Sequence, residues 1–258
     1  MARKKTSFGI LLGLLWVFVQ ARPAIAQSDN TALRVLLPVA IENVPGARGS
    51  LWTSELWIHN GTPDTVMVGP TRLASEYRIP AGQTDEPPIF LRSDGSHPGL
   101  FLFVESEDHM DVTFNLRIQD LSRQAETWGT EIPVVRDTEF HGGKLVLLNV
   151  PLDERFRQTL RIYESDLMED SAVLVSVYRM GFAGDDLLLD ERRVDLRLAI
   201  PDRSPAYAQI DSFSGFSGLA GTERVRVEIM PMTEDMRLWA FVSVTNNETQ
   251  HVTTITPQ

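Results

Sequence analysis

The sequence predicts an all-β chain, on three observations. Apolar residues recur with a period of two rather than 3.6 along almost the whole length. The alternating runs are short, and Gly, Pro, Asn and Asp clusters separate them: "NGTPD", "PAGQTDEPP", "SDGSHPG", "AGDD" and "TNNET". Two stretches of the first half return, weakened but in the same order, in the second. "LWTSELWIHNGTPDTVMV" resembles "RFRQTLRIYESDLMEDSAVLVSVY", and "DHMDVTFNLRIQDLSRQAETWGTEIP" resembles "EDMRLWAFVSVTNNETQHVTTITP". Many short, half-buried strands with regular turn signals read as antiparallel sandwiches, and the repeat reads as two of them. The expectation is two tandem immunoglobulin-like antiparallel β-sandwich domains behind a cleaved signal peptide, over 34–138 and 139–258. The disulfide and the tryptophan packed on it, which mark antibody domains, are absent.

The first 26 residues have the three parts of a secretory signal. Arg3, Lys4 and Lys5 form a cationic start, Phe8 to Val19 an uncharged apolar run, and Ala24-Ile25-Ala26 a small-x-small cleavage site. The apolar run is shorter than the roughly 20 residues that cross a bilayer. Cleavage is expected between Ala26 and Gln27, leaving 27–33 as a flexible tail. No later run is long and apolar enough to span, so no membrane insertion is expected after cleavage. The expected location is periplasmic or extracellular.

The chain of 258 residues carries a formal charge of −11. The leader holds Arg3, Lys4, Lys5 and Arg22 and no acid, so the chain beyond Ala26 is more acidic still. Such a charge opposes binding to nucleic acid or anionic lipid. Beyond the leader Lys144 is the one lysine, and the other bases are arginines, whose planar fork pairs carboxylates. There is no cysteine. Cysteine nucleophiles, thiolate zinc sites, iron–sulfur clusters and thiol redox chemistry are therefore excluded, and the core alone must hold the fold.

Taken in order, the strands are read from their alternation. In "SLWTSELWIHN", Trp52, Ser54, Leu56 and Ile58 share one face, while Glu55, Trp57 and His59 share the other. Asn60-Gly61 then marks a turn. In "VTFNLRIQ", Phe114, Leu116 and Ile118 share a face. The pattern breaks over "VVRDTEFHGG", where the domain boundary is placed. "RFRQTLRIYES" alternates Phe156, Leu160 and Ile162 with Arg157, Thr159 and Arg161. "RVDLRLAI" points Val194, Leu196, Leu198 and Ile200 inward, and "RVRVEI" does the same with Val225, Val227 and Ile229. Between these two, "PDRSPAYAQIDSFSGFSGLAG", from Pro201 to Gly221, reads as a long loop.

The phrases "LLPVAIENVPGARGSLWTSELWIHN", "TWGTEIPVV", "RFRQTLRIYES" and "WAFVSVTNNETQHVTTITP" resemble those of uncharacterised exported bacterial proteins with tandem immunoglobulin-like sandwich repeats. Those proteins carry a Pro-Gly-Ala-x-Gly-Ser turn before a tryptophan-rich strand, and close on an aromatic strand, an Asn-rich turn and a last strand. The resemblance covers most of the chain beyond the leader. It implies the fold and no activity, so no functional residue is carried over. Arg48 stands where an aromatic is common, which bears on how that turn packs.

Three places are candidate binding surfaces. Trp57, with Glu55 and His59, makes either a carbohydrate platform or the ordinary outer face of a strand. Arg155, Arg157 and Arg161, with Arg193, Arg197, Arg224 and Arg226, make either a ladder for sulfated or uronic polysaccharide or cross-strand ion pairs with acids such as Asp195 and Glu228. In the long loop, Tyr207, Phe213 and Phe216 sit on a Ser/Gly background, as in binding loops, or else plug the sandwich end. The loop aromatics and Trp57 are the preferred ligand-binding residues.

Catalytic and metal constellations are poor, and no catalytic residue, metal ligand or cofactor is assigned. The five histidines are scattered, and "GFSGLAG" has Leu219 where a nucleophile elbow needs glycine. Glu105, Glu107, Asp108 and Asp111 form an acidic cluster without the calcium-loop pattern, read as a solvated turn. The functional expectation is an exported, non-enzymatic β-sandwich protein with a structural or binding role. The alternative is a carbohydrate-binding or carbohydrate-active accessory protein. A surface glycan or another exported protein would be the partner.

Overall fold

The computed structural model describes residues 32–71, 77–87, 96–97, 99–105, 109–123, 128–165, 171–181, 186–197, 204–216, 219 and 224–258. The first half runs through β1 (Ala32–Leu37), β2 (Ala40–Ile41), β3 (Val44–Pro45), β4 (Leu51–Asn60), β5 (Val66–Gly69), β6 (Tyr77–Ile79), β7 (Thr84–Asp85), β8 (Ser96–His97), β9 (Leu100–Glu105), β10 (Val112–Asp120), β11 (Thr130–Ile132) and β12 (Val135–Arg136). The second half runs through β13 (Leu145–Pro151), β14 (Phe156–Glu164), β15 (Ala172–Arg179), β16 (Leu187–Asp195), β17 (Ala206–Ile210), β18 (Arg224–Pro231), β19 (Leu238–Asn246) and β20 (Val252–Ile255). The helical turns among the described residues are short 3-10 pieces, such as Ala47–Gly49. None of them is long and apolar enough to cross a membrane.

Among the described residues four larger antiparallel sheets carry the structure, beside a two-stranded one of β2 and β8. Sheet I has the order β12-β1-β9-β5-β6, and sheet II the order β11-β10-β4-β3 with β7 also on β4. Sheet III is β13-β18-β15-β16, and sheet IV is β17-β14-β19-β20. Sheets I and II enclose one apolar cluster, to which β4 gives Leu56 and Ile58 and β10 gives Val112 and Leu116. Sheets III and IV enclose a second, to which β15 gives Val173, Val175 and Val177 and β18 gives Val225, Val227 and Ile229. The alternation of "RVRVEI" thus becomes one buried and one outward face.

The first cluster also takes in Tyr163, Trp239 and Phe241, from strands of sheet IV. These face away from the second core, because their neighbours Ile162, Ala240 and Val242 already occupy it. Sheet IV is therefore buried on both faces at this end, and β19 is buried without a break from Leu238 to Val242. Residues Thr31–Gln258 accordingly form one compact unit. The three rings lie in a row, with centroids 6.0 Å apart for Tyr163 and Trp239 and 5.4 Å for Trp239 and Phe241. The Tyr163 hydroxyl, out of water, donates to the Pro38 carbonyl at 2.5 Å. Gly99 makes room for the ring, since a Cβ there would lie 2.7 Å from Tyr163 Cε1.

Two buried polar residues hold the ends of the β4–β10 pair. Asn60 donates to the carbonyls of Asp64 (2.7 Å) and Ile79 (2.8 Å) and accepts from the amide and hydroxyl of Thr62, so the "NGTPD" turn is tied down from within. Asp120 accepts from the amides of Leu51 and Ser122, both at 3.0 Å, and from the Ser122 hydroxyl at 2.6 Å.

Two segments differ from the alternation reading. The strand read over 193–200 runs instead from Leu187 to Asp195. Beyond it Leu196 drops into the second core and Arg197 pairs with Tyr207, so the chain leaves sheet III for sheet IV there. Residues 198–200 lie outside the described residues. The long loop contains β17, which pairs with β14 from Leu160 to Glu164. Its inward residues Ala206 and Ala208 are too small to give a strong periodic signal.

Burial raises the Tyr163 phenol pKa well above its ordinary value, the Arg161 charge opposing in part. The folded state then holds this proton more tightly than the unfolded one, so the contribution is complete below pH 10 and is lost as pH rises beyond it. Tyr163→Phe should cost about 1–3 kcal/mol at pH 7, because it strands a buried carbonyl. In urea unfolding, the gap to the parent should narrow above pH 10; a gap independent of pH would contradict the assignment.

Asp120 behaves in the opposite sense. Burial opposes its ionisation, but the Ser122 hydroxyl, the two amides and the Arg123 charge outweigh burial and lower its pKa. Its contribution is present above the ordinary carboxylate value of 3.8 and is lost as pH falls through the lowered one. Asp120→Ala should destabilise by about 2–3 kcal/mol at neutral pH and by less at pH 2–3. Thermal unfolding across that range checks it.

Candidate functional site

The outer face of sheet IV changes character along its length. Register sets Tyr163 against Trp239, Arg161 against Phe241, Thr159 against Ser243, and Arg157 against Thr245. On the other side of β14, Gln209 lies opposite Arg161 and Tyr207 opposite Tyr163. One end of the face is aromatic and packed in the first core. The other end is arginine, hydroxyl and amide, and it floors a groove of about 470 Å³.

The opposite wall comes from the first half: Val39, Ile41, Val44 to Ala47 and Trp52. Ser54 ties β2 to β4 by accepting from the Ile41 amide and donating to the Val39 carbonyl, both at 3.2 Å. Trp52 donates its indole N–H to the Ser50 hydroxyl at 2.8 Å. Gly46 is required beneath it, because a Cβ there would lie 2.3 Å from Ser50 Oγ and 2.4 Å from Trp52 Nε1.

Among the described residues no carboxylate pairs with Arg157 or Arg161, and amide and hydroxyl oxygens hold them instead. Arg157 donates to Gln250 Oε1 at 2.8 Å. Burial, and behind it the charge of Arg48, lowers its pKa from the ordinary arginine value. Arg161 donates to Gln209 Oε1 at 3.1 Å and to Ser243 Oγ at 3.3 Å, with its guanidinium 5.7 Å from the Phe241 ring centre. Arg48 donates to the Asn247 carbonyl. Arg48 and Gln250 both have left-handed backbone, φ 58° in each case, a conformation that costs a non-glycine residue energy. Asp211 is the one carboxylate among the described residues lining the groove, and it accepts from Gln209 at 2.5 Å.

The arginine ladder read from the sequence is thus divided, because its strands do not share a sheet. Arg193 and Arg226, on sheet III, pair with acids: Arg193 with Asp195 at 2.9 Å, and Arg226 with Glu228 at 3.2 Å and with Asp186. Arg224 donates to Asn149 at 3.2 Å. Arg155 lies before β14 and pairs with Asp153 at 2.8 Å. Only the sheet IV members, Arg157 and Arg161, look into the groove.

The other sequence-derived residues lie apart from it. Glu55, Trp57 and His59 stand on the outer face of sheet II, where Glu55 accepts from Gln119 at 2.6 Å and His59 Nδ1 lies 2.9 Å from the Thr84 hydroxyl. Trp57 is 38% exposed, and Trp128, which the alternation does not single out, is more exposed still. Phe213 and Phe216 are buried in the second core, 5.5 Å apart between ring centres. Tyr207 packs partly buried against the first core. Of the acidic cluster, Glu107 and Asp108 lie outside the described residues. Among the described residues no three His, Asp or Glu side chains gather as metal ligands. A second hollow of about 650 Å³ lies beside the Asn246–Gln250 turn, but its cation, Arg123, is already engaged by Asp120 and the Thr249 carbonyl.

Phe213→Ala should cost about 3–5 kcal/mol, as loss of a core ring does. Trp57→Ala should cost on the order of 1 kcal/mol. Denaturant midpoints of the two variants separate a core aromatic from a displayed one.

Comparison with protein-family models returns no match, and comparison with curated proteins returns none. Among solved structures, the cryo-EM structure of Broad Bean Stain Virus (BBSV) is similar at a TM-score of 0.23 and 10% identity, over 83% of this chain and 94% of that one. A likeness at that level carries no argument about function.

Proposed function

We propose that the chain is an exported, non-enzymatic protein with a binding role outside the cytoplasm, and that the groove over sheet IV is its binding surface. The leader supports export, since 1–26 carries the cationic start, apolar run and cleavage site of a secretory signal. Each sheet pair is read as an immunoglobulin-like sandwich, over 34–138 and 139–258.

The groove carries the binding role. Its size falls within the range of roughly 300–1,000 Å³ usual for ligand clefts. Its floor offers cationic forks, hydroxyls and an amide, which are recognition groups. Among the described residues its lining holds no histidine and no pair of carboxylates, and what it does offer is cations, hydroxyls and amides. An accessory carbohydrate-binding role is the version of this reading that the hydroxyls of Thr159, Ser243 and Thr245 favour.

Expression with the leader intact, followed by fractionation and intact mass, tests the export part. The expected product is found outside the cytoplasm and begins at Gln27. A chain that stays in the cytoplasm with residues 1–26 attached would overturn it.

A further inference from the structure

We propose that the sheet IV groove binds an acidic polysaccharide, with anionic groups of successive sugars paired to Arg157 and Arg161. This inference rests on the binding role given above and names its ligand class. The first support is charge. In a chain of net charge −11, the cations of the groove floor form no ion pair among the described residues, while arginines of sheet III do. A guanidinium presents a planar fork suited to a carboxylate or a sulfate, and here each fork is already positioned by an amide oxygen rather than consumed by an acid.

The second support is spacing. Four residues along a strand set the two backbone positions about 13 Å apart, and the forks are held by different partners, Gln250 for Arg157 and Gln209 with Ser243 for Arg161, so they are two separate anion positions. An extended polymer with charges at intervals does. The third is what lies between and beside them: Thr159 and Thr245, whose hydroxyls donate and accept as sugar hydroxyls require, and Trp52 on the facing wall.

An acidic peptide is disfavoured by the same geometry. β14, which carries both arginines, is paired on both sides, to β17 and β19, so the strand beneath the two forks offers a peptide backbone no free edge. The acidic field of the chain as a whole opposes every polyanion alike, nucleic acid and acidic glycan, so binding has to come from the two forks and the hydroxyls beside them.

The test is calorimetric titration of the purified full chain with an oligogalacturonate, a dextran sulfate oligomer and a neutral dextran oligomer of matched length. Saturable binding of an anionic glycan, weakening with added salt, and no binding of the neutral one is the expected result. Which anionic glycan binds distinguishes carboxylate from sulfate as the source of the charge. Arg157→Gln with Arg161→Gln should weaken binding at least tenfold, and Arg117→Gln, on the outer face of sheet II, should leave it unchanged. If the double glutamine variant does not fold, Arg157→Lys with Arg161→Lys keeps both charges and loses both forks, and a loss of several-fold is then expected.

Equal binding of the neutral oligomer, unchanged affinity in the folded variants, or no saturable binding of either anionic glycan would overturn the proposal. The last result leaves export untouched. New reducing ends appearing during the titration would overturn the non-enzymatic reading while supporting the groove as the place where the glycan binds.

Discussion

The structure depends on one constraint: the outer face of β14 and β19 must be dry at one end and wet at the other. At the dry end Tyr163, Trp239 and Phe241 leave water for the first core, and burying rings of that size is the largest favourable term available at the junction. The Tyr163 hydroxyl then has to find an acceptor away from solvent, and the Pro38 carbonyl, just past β1, is that acceptor. Gly99, just before β9, has to lack a side chain for the ring to come so close. Both contacts fix where β1 and β9 lie relative to sheet IV, and so fix where the first half stops covering that sheet.

The wet end follows from that stop. Beyond Phe241 the outward residues of β19 are Ser243 and Thr245, and the outward residues of β14 are Arg161, Thr159 and Arg157. The wall facing them is built from the short strands β2 and β3, the turn at Gly46 and Ala47, and the first residues of β4, and a groove lies between it and the sheet. Polar contacts cross its margins: Arg48 to the Asn247 carbonyl, and the Thr130 hydroxyl to the Val252 carbonyl at 2.7 Å. Exchanging water for such partners contributes only about 1 kcal/mol each, so these bonds set register more than they hold the halves together. The aromatic end supplies the cohesion, and the polar end is left with side chains whose bonds are lateral and replaceable.

How much of this was legible depended on period and size. β4, β10, β14 and β18 were legible because large apolar residues alternate with charges there, as in Val225, Val227 and Ile229 between arginines. β17 was not, because Ala206 and Ala208 carry the inward positions with little hydropathy of their own. Phe213 and Phe216 looked like display residues in a Ser/Gly-rich segment, since composition does not say which way a ring turns; packing against the second core decides it. The groove was illegible for a different reason. Its arginines could be placed on one side of a strand, but their freedom from acids depends on which strands become neighbours. Pairing Arg157 with Thr245, and Arg161 with Phe241 and Gln209, is a matter of long-range register.

The contrast between the two sets of arginines has a physical logic. β16 is the edge of sheet III, a nine-residue strand whose far side meets no further strand among the described residues. An open edge of that length invites pairing with another chain. Here a register shift between Val177 and Tyr178 bends the β15–β16 ladder, and Asp190, Arg192, Arg193 and Asp195 set alternating charges along the edge. Those arginines are neutralised locally, which lets charge guard the edge without building a field of one sign. Sheet IV meets the problem differently at β14, which lies between two partners and has no edge to guard. Acids near Arg157 and Arg161 would add nothing to the protection of that strand, and they would fill the groove's two forks. One residue type is therefore paired with acids along the edge of sheet III and held by amide and hydroxyl oxygens on the face of sheet IV, and strand order separates the two settings.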